Sequence, residues 1–165
     1  MSRREMHSRR GLAPSPAPRA FTLIELLIVI AIVAVVGGIG ATRWAQFAER
    51  HSAQAAAQRL ARDLQYARTL ARHASKQQAV AFDLANHAYE IKGVKHFDRS
   101  LGSHRVTLRD DPYRARITFL SVGGDAQIVF NGYGAADTAG DIRVTVGNTT
   151  YSVLVEAATG EVILK

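Results

Sequence analysis

Residues Phe21 to Ala41 read FTLIELLIVIAIVAVVGGIGA, a run of 21 residues whose only ionisable side chain is Glu25. A helix needs roughly 20 apolar residues to cross the hydrocarbon of a bilayer, so this run is expected to span a membrane. The rest of a 165-residue chain leaves room for one domain, since domains commonly hold about 100–150 residues. Glu25 narrows the reading. A charged side chain costs about 2.5–3.5 kcal/mol at the centre of a membrane helix, so the carboxylate is expected to have a partner or a purpose. A signal anchor or a cleaved secretory signal also joins a basic segment to an apolar stretch. The apolar part of a cleaved signal, however, runs about 7–15 residues and ends at a small-residue site. Here the run is longer and leads straight into an amphipathic pattern, and a plain anchor has no use for an interior acid.

The net charge of +7 and pI near 10.2 invite a nucleic-acid reading, which the distribution does not support. Residues 1–20 carry a net +4, residues 21–78 another +4, and residues 79–165 a net −1, so the expected globular part is nearly neutral. Arg3, Arg4, Arg9, Arg10 and Arg19 precede the apolar run, and such a bias holds the preceding segment in the cytoplasm. Pro14, Pro16 and Pro18 keep that leader extended, as suits a protease substrate. With no cysteine, a periplasmic domain would fold without disulfides, and thiol-based metal or redox chemistry is excluded.

Beyond the run, Ala57, Leu60, Leu64, Ala67, Ala71 and Ala74 recur at spacings of 3 and 4, the mark of one apolar helical face. Gln58, Arg59, Arg62, Asp63, Arg68 and Arg72 are placed on the other positions. No proline lies between Pro18 and Pro112, so one helix is expected from about Leu23 to about Lys76. Gly37, Gly38 and Gly40, each costing about 1 kcal/mol relative to Ala, mark the place for bending, or else a close helix contact. From Gln78 the pattern becomes alternating, with strands expected at 79–84, 89–92, 105–109, 116–120, 127–130, 141–146, 151–156 and 161–164. Asn86-His87, Gly123-Gly124, Gly147-Asn148 and Thr159-Gly160 are read as hairpin connections. The expected class is α+β: a long N-terminal helix, membrane-spanning in its first half, packed on an antiparallel sheet. The parts are a leader at 1–20, a transmembrane half at 21–41, an amphipathic half at 42–78 and a β domain at 79–165.

The segment Arg19-Ala20-Phe21-Thr22-Leu23-Ile24-Glu25 resembles the prepilin peptidase recognition site of type IV pilins and pseudopilins. Those proteins share a basic leader, a cut before Phe, a Glu four residues later and an unbroken apolar helix. The resemblance implies cleavage between Ala20 and Phe21, N-methylation of Phe21, and neutralisation of a neighbouring subunit's Phe21 amine by Glu25 during filament assembly. The family usually has Gly before the cut, where this chain has Ala20, a departure that bears on the rate of processing. Farther on, Phe130-Asn131-Gly132-Tyr133-Gly134, the strands around 141–146 and 151–155, and Thr159-Gly160-Glu161-Val162 look like the GspH/FimT group of minor pseudopilins. That resemblance implies a type IV pilin-like fold and a structural, non-enzymatic subunit of the periplasmic pseudopilus of type II secretion. The alternative it leaves is a FimT-like minor type IV pilin engaged in pilus assembly or DNA uptake. Implied partners are other pseudopilins or pilins, prepilin peptidase and inner-membrane lipid, with the N-terminus cytoplasmic and the C-terminal domain periplasmic. A soluble periplasmic binding domain released from a signal peptide is the rival of a different class.

No cofactor is expected. His7, His51, His73, His87, His96 and His104 show no metal-ligand spacing, and Asp125, Asp137 and Asp141 near glycine turns do not follow the EF-hand pattern for calcium. Asn148-Thr149-Thr150 fits a glycosylation sequon but is adequately explained as turn chemistry. The arginines at 59, 62, 68 and 72 lack interleaved aromatic platforms apart from Tyr66, so binding of single-stranded nucleic acid is not expected.

Overall fold

The computed structural model describes residues 21–95 and 103–165, with side chains at all of these except 38–43 and 95. The leader, Ala20, His7 and His96 lie outside the described residues. The chain divides into two compact units, residues 1–40 and 41–165. Helix α1 is assigned over Leu23–Ala74 and contributes to both. The eight strands are β1 (Gln78–Asp83), β2 (Ala88–Lys95), β3 (Ser103–Thr107), β4 (Arg116–Ser121), β5 (Gln127–Phe130), β6 (Gly140–Val146), β7 (Thr149–Val155) and β8 (Val162–Leu164). All eight overlap strands expected from alternation; β4 departs from strict alternation of burial, its register shifting between Ile117 and Phe119.

In the first unit, α1 starts directly after Thr22. The Thr22 Oγ1 accepts a hydrogen bond from the Glu25 N–H at 3.2 Å, and the Thr22 carbonyl accepts from Leu26 N–H at 3.2 Å. Thr22 therefore caps the helix, satisfying one of the donors that the first turn leaves orphaned, and Glu25 places an acid where the helix dipole favours it. The helix assignment passes through Gly37 to Gly40, because backbone hydrogen bonds do not require a side chain. Gly38 and Gly40 lie where side-chain surroundings are not described.

In the second unit the strands form two four-stranded antiparallel sheets, ordered β3-β2-β1-β5 and β4-β6-β7-β8, where one sheet was expected. Gly123-Gly124 is the source of the difference. It joins β4 of one sheet to β5 of the other, so it is a crossover and not a hairpin. The other three connections are hairpins, and Gly147, with φ of +55°, takes the first central position of the two-residue β6–β7 turn, where a type II′ geometry demands glycine.

One core joins the helix to both sheets. Ala56, Ala57, Leu60, Leu64, Ala67 and Ala71 are buried with Val80, Ile91, Ile128, Ile142, Val144 and Val153. In the first sheet, Ile91, Val80 and Ile128 pair across three strands, with His104 opposite Ile91. All four are at most 1% exposed, so one face of the sheet is closed. The three apolar side chains, Val80, Ile91 and Ile128, each contribute about 1.5–3 kcal/mol by leaving water. Alanines dominate the helix side because a small residue lets the helix backbone come near the sheet. The expected stripe needs two corrections. Ala74, the last residue of the helix, is exposed, and Asp63, expected on the solvent side, is buried.

Candidate functional site

The residues singled out for processing and assembly lie at the start of α1. Phe21 is 79% exposed, and Glu25 is exposed in the first turn. Around them Leu23, Ile24, Leu26, Leu27, Ile28 and Val29 are each about half exposed or more, so the helix is apolar over its whole circumference. Such a surface has no solvated side to turn toward water. Among the described residues, no helix is long and apolar enough to cross a membrane, and side chains 38–41 of the expected span lie outside the described residues. Chemically, the N-terminal turn offers a carboxylate four residues from Phe21 on an apolar cylinder. In surroundings of low dielectric a carboxylate pairs strongly with a cation and is costly when left unpaired.

The other candidate groups are committed elsewhere. Asp125 accepts from the Gln127 side-chain amide, Asp137 accepts from the Val129 N–H at 2.9 Å, and Asp141 pairs with Arg143 at 3.0 Å. These three do not converge, and among the described residues no three acidic, histidine or cysteine groups form a metal cluster. His51 and His73 are exposed, and His87 is half-buried. The arginines do not form one anionic-ligand stripe. Arg59 binds Asp63 at 3.1 Å, and Arg68 donates to the carbonyls of Gly134 at 3.1 Å and Thr159 at 2.7 Å. Only Arg62 and Arg72 of that series are exposed.

Arg68 explains the two glycine motifs of the C-terminal half. It draws the Asn131–Gly134 turn and the Thr159-Gly160 turn onto the last third of α1. A Cβ at Gly160, where φ is +67°, would overlap the Gly134 carbonyl, and one at Gly132 would sit 2.9 Å from the Ser75 backbone. Asn131 holds the first turn internally, its side-chain oxygen accepting from Tyr133 N–H at 2.9 Å and Ala135 N–H at 3.1 Å. The turn leaves the Tyr133 ring 93% exposed. The motif is thus a structural clamp between helix and sheets.

Two features were missed in the sequence. The first is a buried polar cluster: Asp63 Oδ2 accepts from Tyr89 OH at 2.7 Å and lies 3.3 Å from His104 Nε2, besides its bond from Arg59. Asp63 is 8% exposed, and Tyr89 and His104 are 1% exposed. Burial, reinforced by the Asp63 carboxylate, pushes the Tyr89 hydroxyl well above its ordinary range. The signal was present, because Asp63 falls seven residues after Ala56 and three after Leu60, on the apolar face itself. The second is a groove of about 400 Å³ lined by Trp44, Phe47, His51, Pro112 and Tyr113. Trp44 and Phe47, three residues apart just past the apolar run, were its signal.

Comparison with known proteins agrees with this anatomy. The model of the family described as type II transport protein GspH matches residues 56–160, more than half of the chain. The prokaryotic N-terminal methylation motif matches residues 17–41. No curated protein matches the chain. Among solved structures, the type IV minor pilin FimU of Pseudomonas aeruginosa strain PAO1 is similar in two crystal forms. In space group P21 the TM-score is 0.53 at 17% identity, over 72% of this chain and 92% of FimU. In space group P65 it is 0.50 at 13% identity, over 68% and 91%. At these identities the likeness is one of fold, and that fold is the type IV pilin-like α+β arrangement expected from the sequence. The helix with its methylation motif and the clamped two-sheet domain together mark a pilin-like structural subunit, and the chain belongs to the GspH family.

Proposed function

We propose that this chain is a minor pseudopilin of a type II secretion system. It inserts in the inner membrane with the leader in the cytoplasm, is cut by prepilin peptidase between Ala20 and Phe21, and is N-methylated on Phe21. It then joins other pseudopilins in the periplasmic pseudopilus. The observation that carries this reading is the start of α1, where an exposed Phe21 and an exposed Glu25 stand four residues apart on an otherwise apolar helix, inside the methylation-motif match. Glu25 neutralises the Phe21 amine of a neighbouring subunit, which removes the 2.5–3.5 kcal/mol cost, roughly, of a lone charge in lipid. The chain's own role is structural, as membership of the GspH family supports.

A second reading, a minor type IV pilin, is favoured by the fold likeness to FimU, although that fold is common to both. DNA binding by such a pilin would need phosphate contacts, and Arg59 and Arg68 are engaged within the domain. The test is mass spectrometry of the mature amino terminus from the native host. N-methylated Phe21 is the expected result, and a mature chain beginning after about residue 41 would remove the pilin reading altogether. Deletion of the gene then separates the machines: loss of export of folded proteins supports secretion, and loss of surface pili with export intact supports the pilus.

A further inference from the structure

Three residues past the end of the apolar run, α1 turns an aromatic face outward that the domain does not use for its own core. Trp44 is 75% and Phe47 64% exposed. Their rings lie 6.5 Å apart, and Phe47 meets the His51 ring at the same centroid distance, edge-on. Trp44, Phe47, Ala48, His51, Ser52 and Ala55 recur at spacings of 3, 1, 3, 1 and 3, which is a single helical face. The loop between β3 and β4 reaches this face from the other side, and Pro112 and Tyr113 close the groove. Tyr113 is half-buried and packs on the core, so the loop is held in place. Monomeric proteins seldom leave such an aromatic surface open without a use for it.

We propose that the groove formed by Trp44, Phe47, Pro112 and Tyr113 is a membrane-interface seat that rests the domain on the phospholipid head-group layer before assembly. The inference rests on the membrane reading of residues 21–41 given above. Trp and Tyr gather at the head-group level, where a ring with one polar edge faces both media. A helix rises about 1.5 Å per residue, so Trp44 and Phe47 follow Ala41 by about 5 and 9 Å, close to the thickness of the interfacial layer on one side of a bilayer. Arg43 and Arg50 flank the pair in sequence, and Trp, Tyr, Lys and Arg are the residues that anchor a helix at the interface.

Trp44 is the only tryptophan of the chain, so its fluorescence reads this site alone. The full chain is reconstituted in vesicles of phosphatidylethanolamine and phosphatidylglycerol. Emission is recorded with iodide in the water, and with lipids brominated either near the head-group end or near the methyl end of the acyl chain. The expected result is blue-shifted emission, protection from iodide and stronger quenching by bromine near the head groups. Phe47→Ser is expected to shift the emission back to the red with an unchanged circular dichroism spectrum. Iodide quenching in vesicles as strong as that of free N-acetyltryptophanamide overturns the seat. Protection from both quenchers also overturns it, because protein and not lipid then covers the ring. Flotation of the same vesicles separates the two failures: a chain that does not float refutes the membrane reading and the seat together, whereas a floating chain with a wet Trp44 refutes only the seat.

Discussion

Between Phe21 and Val36 the large apolar side chains of α1 are 49–81% exposed, whereas Leu60 and Leu64, farther along the same helix, are fully buried. Both stretches are helical and both are rich in apolar residues. In the second, small alanines alternate with leucines so that two sheets can approach. In the first, branched side chains point in every direction and no single partner surface could cover them. The contrast separates two uses of hydrophobicity: residues 53–71 stabilise the fold, and residues 21–36 are exposed, as the proposed insertion and assembly require. Glu25 and Asp63, one acid in each stretch, show the same division. Asp63 is satisfied within the chain by Arg59, Tyr89 and His104, and Glu25 is exposed, as the proposed role in assembly requires.

The largest effect that sharpens this contrast is expected from Asp63→Ala. It removes the acceptor shared by Tyr89, His104 and Arg59 and leaves buried polar groups behind, so denaturation of the full chain in detergent should show a loss of about 3–5 kcal/mol. Next comes the clamp. Arg68→Ala deletes charge-assisted bonds to the carbonyls of Gly134 and Thr159, and a loss of about 1–3 kcal/mol is expected, with faster amide exchange at 131–135 and 157–161. Equal stability of Arg68→Ala and the parent chain would mean that the two turns need no tie to the helix.

Much of this division was legible beforehand. The strands could be read because inward and outward positions alternate, and the apolar run because its length and its single acid are both unusual. The two-sheet split was not legible, since Gly123-Gly124 can close a hairpin or carry the chain across, and only the partner strands decide. Asp63 was misplaced because a charged residue on an apolar stripe is ordinarily assigned to solvent, and its partners Tyr89 and His104 arrive from strands 26 and 41 residues away. The clamp could be seen as a glycine motif but not as a tie, because Arg68 lies 66 residues before Gly134.

Acid and base should probe the second unit in opposite ways. Hydrogen bonds from Asn86 and Arg105 hold the Asp83 carboxyl down, to about 2. Its folded value lies below the ordinary carboxylate range near 3.9, so its contribution is present above that range and is lost as the pH falls toward 2. Tyr89 is shifted the other way, by burial and Asp63. Its contribution is complete below the ordinary tyrosine range near 10 and is lost as the pH rises beyond it, because only the unfolded chain releases the proton easily. Melting midpoints across pH should fall at both ends, the acid limb should flatten in Asp83→Asn, and the alkaline limb should flatten in Tyr89→Phe.

A smaller change is expected from Thr22→Ala. Loss of the cap should cost about 1 kcal/mol, confined to the first turn of α1. Exchange at Glu25 and Leu26 amides should quicken while the melting of residues 41–165 stays where it was.

The most direct measurement compares Glu25→Gln with the parent chain, expressed with its native neighbours, for the amount of subunit recovered in sheared filaments. The account predicts that incorporation is lost while the thermal midpoint of the purified chain is unchanged, since Glu25 lies outside the core. Full incorporation of Glu25→Gln, or a fall in midpoint that accounts for its absence from filaments, would contradict the division between an acid for folding and an acid for assembly.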